Sequence, residues 1–204
     1  MKDLEFRDLV YANSLFSTKM SERFLNRPRI HAMIRARSYE AAAKILEECA
    51  YTCVTGAVDE IIEAAAHEAL ETFVKHCPDE NASECARLIY TFKHTKHADL
   101  KRAEEELLVS LKSASEKIRD ARVRAHFGLY VAALEGDTKI NDNTIWNSIR
   151  EMRADGESYH LVFCWFAMKE FEMRAVRCIL LCKIHGVEAD RVVGMLGANY
   201  ERFN

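Results

Sequence analysis

The chain has 204 residues, 49% of them hydrophobic, with only seven glycines and two prolines. That composition suits continuous helices around a sizeable core and argues against a loop-rich or all-β fold. A net charge of -3 lacks the basic footprint of nucleic-acid binding, and seven cysteines, an odd number at scattered positions, read as reduced thiols of a cytosolic protein.

Residues 3–24 read as a first helix, with Leu4, Leu9, Tyr11, Leu15 and Phe16 loosely at helical spacing, ended by Asn26-Arg27-Pro28. A short helix follows to about Arg37, and Ser38 caps another running to about Tyr51. Gly56 breaks the chain. Over 57–76, Val58, Ile61, Ile62, Ala65, Ala69 and Phe73 form one apolar stripe, and Asp59, Glu60, Glu63 and Glu71 make the outer side acidic. Pro78 and Asn81 mark a turn and a new start; Glu84–Phe92 is helical and falters in the polar stretch 93–97. The spacing predicts helix again from Asp99 to Leu134, with Leu107, Leu108, Leu111 and Ile118 apolar and Lys112, Lys117, Arg119, Arg122 and Arg124 on a basic side.

Glu135-Gly136-Asp137 is the clearest break, and it divides the chain into an N-terminal helical region, 1–135, and a C-terminal one, 136–204, packed with it; a single domain is the alternative. Asn141–Thr144 cap a helix to about Arg153. No strand-like alternation occurs. The expected fold is all-α, a multi-helix bundle of tandem helical units with one long, largely buried C-terminal helix.

That helix is expected between the N-cap Ser158 and the C′ residue Gly186. Its first half, Leu161–Met168, is apolar nearly all round, which predicts burial on several sides; the run is too short to span a bilayer. In its second half, Phe166, Glu170, Met173, Arg177, Leu180 and Ile184 share one face, and Glu170 reaches Arg174 one turn on. Charges on an apolar face need partners, because desolvating them alone is costly. Glu170, Glu172, Arg174, Arg177 and Lys183 are therefore candidates for a structural ion-pair set. A catalytic or ligand-binding carboxylate–guanidinium pair is the alternative.

Other chemistry is thin. No G-x-x-x-x-G-K-[ST] cradles a nucleotide phosphate. Cys49/Cys53 and Cys178/Cys182 stand four apart and read as buried small hydrophobes, since zinc favours knuckle spacing or histidine helpers. Glu157-x-x-His160 is half of a di-iron helix motif without its second half, Glu63 and His67 share one helix face, and His94/His97 lie in a helix break as a solvent-exposed pair. No catalytic residue, cofactor or metal is expected. The start Met1–Glu5 has no signal-peptide character, so any membrane link is expected to run through a partner.

The run Lys169-Glu170-Phe171-Glu172, with Arg177, Ile179 and Lys183, resembles the C-terminal signature K-E-x-E-h-x-x-h-R-x-I-h-x-x-K. That signature belongs to the C-subunit family of V-type/A-type ATP synthases (the d-subunit in eukaryotes). Phe163, Trp165 and Phe166 fit its aromatic lead-in, and Gly186–Val193 is similar to the family's short closing helix. At the other end, Val10-Tyr11-Ala12-Asn13 resembles its opening stretch. Ile30, Met33, Ile34, Ala42, Ile45, Leu46 and Tyr51 follow the spacing of its repeat unit, and Tyr90–Lys101 is a weaker match to a D-x-x-N-L-K element, with Lys96 and Asp99 where Asp and Asn stand in the family. The likeness covers the first half and the last quarter; the middle is shorter than the family's three tandem helical domains. It implies a non-catalytic helical adapter on the cytosolic face of the membrane, whose partners are the central-stalk subunits and the membrane proteolipid ring of a rotary ATPase. A helical protein-interaction module without the rotary role is the alternative.

Overall fold

A computed structural model describes residues 24–49, 51, 54–155 and 160–197; the expected first helix therefore lies, but for Phe24, outside the described residues. Among them the chain is all-helical: α1 (Arg27–Arg35), α2 (Tyr39–Glu47), α3 (Val58–His76), α4 (Glu80–His94), α5 (Leu100–Glu116), α6 (Ala121–Leu134), α7 (Asp142–Asp155), α8 (His160–Ile184) and α9 (Ala189–Leu196). They fall into two compact units. One is built from Leu70–Ala167, the other from Thr18–Ala69 with Met168–Asn204, each over its described residues. The expected division at Gly136 does not coincide with these units, because Gly136 sits in a turn inside the first of them.

In the first unit α4, α5, α6 and α7 pack on their chain neighbours, and α4 also meets α6. The continuous helix expected over 99–134 is two helices. Lys117 to Asp120 interrupt it, and Asp120 accepts hydrogen bonds from the amides of Arg122 (2.9 Å) and Val123 (3.1 Å) as N-cap of α6. Asp79 caps α4 through Oδ1, which accepts from Asn81 and Ala82, while its Oδ2 accepts from the amide of Arg119 at 3.0 Å. One buried carboxylate thus fixes both a helix start and the α5–α6 turn. The core centres on rings. Phe73 stacks on Phe166 (4.7 Å between centroids), and Phe163 meets Phe73, Phe127 and His126 edge-on. Ile118, Leu111, Val123, Ile149 and Met152 complete it.

The second unit gathers α1, α2, α9, residues 58–69 of α3 and residues 168–184 of α8 around a single apolar cluster. Asn26 and Ser38 cap α1 and α2 with side-chain oxygens, Pro28 stands in the first turn of α1, and the Glu60 carboxylate reaches back to the amide of Ala57. The short helix expected after the Asn26-Arg27-Pro28 run is α1, which this run starts. Tyr39 fastens the loop ahead of α3 by donating its hydroxyl to the carbonyl of Gly56 at 2.8 Å.

α8 ends as the sequence predicts. Gly186 has φ +63°, its amide donates to Lys183 O, and the Val187 amide donates to Cys182 O, the paired bonds of a Schellman motif. The expected N-cap Ser158 lies outside the described residues. From His160 to Phe171 the helix is largely buried; further on, Arg174, Arg177, Leu181 and Ile184 are exposed.

Candidate functional site

The face of α8 that enters the second unit runs through Lys169, Glu172, Val176 and Ile179, flanked by Phe171, Ala175 and Cys182. It is rotated from the stripe expected from spacing. Of that stripe only Leu180 is fully buried; Phe166, Glu170 and Met173 are half-buried, and Arg177 and Ile184 are exposed. The reason is that apolar residues ring this helix almost evenly, so periodicity alone does not choose a face.

Glu172 has no solvent exposure. Its Oε2 accepts from the amide of Leu25 at 2.9 Å; its Oε1 accepts from the Tyr51 hydroxyl at 2.8 Å and from Lys169 Nζ one turn earlier. The Lys169 ammonium also lies 4.8 Å from the centre of the Tyr51 ring and 5.4 Å from that of Phe24. Ring faces carry negative quadrupole density, so they solvate a cation that water cannot reach. The carboxylate is thereby supplied with one neutral amide, one phenol and one cation, the complement that a buried charge requires. Burial first, then the charge of Glu172 and the bond to it, push the Tyr51 phenol well above its usual range. It therefore stays protonated and acts as a donor, not as an acid or base near neutral pH.

The other candidates do different work. Arg174 bonds Glu170 at 2.7 Å along α8, a half-exposed pair, and its guanidinium also covers the Phe171 ring at 5.4 Å. Arg177 bonds Asp59 of α3 at 2.8 Å, with both side chains more than half exposed. Lys183 is turned to carbonyls: it donates to Ile34 O and, at 2.7 Å, to Ala36 O. Those oxygens close the C-terminus of α1, where a cation meets unsatisfied acceptors and the negative end of the helix dipole. The expected set therefore separates into one buried cluster, two surface pairs and one helix cap.

Lys169, Tyr51 and the Leu25 amide are the members that spacing along α8 does not single out. Elsewhere, His160 bonds Asp120 at 2.7 Å, while Glu157 lies outside the described residues. Glu63 and His67 are exposed. His94 and His97, expected to be solvent-exposed, pack half-buried against the rings of Tyr90 and Phe92. Among the described residues no group of three or more His, Cys, Asp or Glu is placed to hold a metal ion, and no helix is long and apolar enough to cross a membrane.

Compared with protein-family models, curated proteins and solved structures, the chain matches none.

Proposed function

We propose that this chain is a non-catalytic adapter of a V-type/A-type rotary ATP synthase, joining the central stalk to the membrane proteolipid ring. One observation carries the reading. Two of the stretches that resemble the ATP synthase family, Arg29–Tyr51 and Lys169–Lys183, pack into one unit and are bonded through the charged positions of the family pattern. Glu172 holds Tyr51, and Lys183 holds the end of α1. A pattern written in two distant parts of a chain gains weight when its polar members bond each other.

The bonding also gives those charges a mechanical sense. Glu172 and Lys183 each tie α8 to segments well over a hundred residues away. An adapter passing torque asks for such stiff, internally cross-bonded helices and for no turnover of its own. On this reading the chain lies at the cytosolic face of the membrane through its partners. It needs no cofactor, and it meets stalk and ring through polar surfaces, so that its association weakens as salt screens exposed charges.

The test is reconstitution of the rotary complex with and without this chain, reading ATP-driven ion uptake into vesicles. Uptake that depends on the chain supports the adapter role. Equal coupling in its absence overturns it and leaves a helical interaction module.

A further inference from the structure

A second feature of the same unit lies outside that role. Cys178 and Cys182 stand one turn apart on α8, and Met195 of α9 brings its Sδ to 3.8 Å from Cys182 Sγ. We propose that Cys178, Cys182 and Met195 form a binding site for a soft monovalent metal ion, copper(I). Geometry is the first argument. Two sulfurs that share a metal at about 2.3 Å stand about 3.8–4.0 Å apart at tetrahedral to trigonal angles, so the Cys182–Met195 pair is already spaced for one ion.

Donor chemistry is the second. Two thiols and a thioether are a soft set, which favours copper(I) over zinc. Structural zinc takes four ligands from Cys, His and carboxylates, and no such group is assembled among the described residues. Access is the third. Cys182 is buried, Cys178 is half-buried and Met195 is 63% exposed, so the trio runs from the core to solvent with its neutral, flexible member outermost.

The Cys178 and Cys182 thiols lie within hydrogen-bond reach of each other. Binding replaces two S–H bonds with two copper–sulfur bonds: one copper(I) enters, two protons pass to solvent, and the Met195 sulfur donates a lone pair with no change of oxidation state.

The experiment is an anaerobic titration of the full chain with copper(I) in competition with the chelator bicinchoninate, alongside far-UV circular dichroism. The chain is expected to take one equivalent with a new ultraviolet thiolate-to-copper band. The five other cysteines stay in place in every variant. Cys178→Ser and Cys182→Ser are expected to weaken binding beyond the roughly 10- to 100-fold typical of losing an outer-shell partner. Met195→Leu, at an exposed position, tests the third ligand without disturbing the core and is expected to weaken binding about tenfold. A folded Cys178→Ser/Cys182→Ser double variant that still takes copper(I) as tightly overturns the proposal. So does unchanged affinity in Met195→Leu, or failure of the parent chain to compete for one equivalent.

Discussion

Tyr51 and Glu172, 121 residues apart in sequence, share a buried hydrogen bond of 2.8 Å that joins the loop after α2 to the middle of α8. Glu172 accepts from three separate donors: the Tyr51 hydroxyl, the Leu25 amide and the Lys169 ammonium. Stability of the second unit is expected to depend on it more than on any other charge of α8.

Glu172→Ala strands a buried ammonium, a phenol and an amide together. A loss of about 3–5 kcal/mol is expected, the usual effect of removing one half of a buried pair. Arg177→Ala removes only a partner of exposed Asp59 and is expected to cost about 0–1 kcal/mol. Denaturant titration of both variants measures the contrast; equal losses would show that burial does not rank these charges.

Tyr51→Phe keeps the ring under Lys169 and removes one donor to Glu172. A loss of about 1–3 kcal/mol is expected, since the carboxylate keeps two of its three donors but stays desolvated. Thermal melts of this variant and of Tyr51→Leu separate the hydroxyl from the ring: the second must cost more, because it also removes the cation–π contact.

Lys183→Met keeps the aliphatic stem of the side chain but leaves the α1 carbonyls of Ile34 and Ala36 without their ammonium. The expected loss is about 1–3 kcal/mol, with faster amide hydrogen exchange concentrated in α1. Exchange that quickens uniformly over the unit would mean that the contact is not a local cap.

Much of this architecture is legible in local signals. Ser38, Glu135-Gly136-Asp137 and Gly186 mark their boundaries in the sequence, because caps and left-handed glycines act over a few residues. The break at 117–120 is not. It contains no Gly or Pro, and Ile118 within it is fully buried, so only the capping carboxylate of Asp120 betrays it. The buried cluster is half legible. Glu172 stands among the charges that interrupt an otherwise apolar helix, but its donors at Leu25 and Tyr51 come from elsewhere in the chain, and only tertiary folding brings them near. Arg177 misleads for a related reason: a helix apolar on nearly every side gives no phase from which to tell its buried face.

Cysteine reactivity follows burial. Cys85 and Cys164 are buried, and desolvation above all pushes both thiols up to about 12. The thiolate is the nucleophile, so both are expected to resist iodoacetamide at pH 8 in the folded chain and to react fully in denaturant. Peptide mass spectrometry reads this directly. Labelling of Cys164 at the rate of a free thiol would contradict its hydrogen bond to the carbonyl of Ile149.

The acid limb of stability is expected to run partly through Asp120. Burial raises its carboxyl, but the amide of Val123, the bond and charge of His160 and the amide of Arg122 outweigh it, and the net shift is downward. A carboxyl held lower in the folded than in the unfolded chain binds fewer protons when folded. Its contribution is therefore present above the ordinary carboxylate range and is lost as pH falls through the lowered folded value. Protonation weakens the N-cap of α6 and the bond to His160 together. Asp120→Asn keeps a capping oxygen but cannot titrate, so it is expected to flatten this part of the acid unfolding curve while costing little as a cap. Asp120→Ala removes the cap as well, at about 0.5–2 kcal/mol near neutral pH. If Asp120→Asn unfolds with the same acid slope as the parent chain, another carboxylate governs that limb, and the His160–Asp120 pair is a contact without linkage to pH.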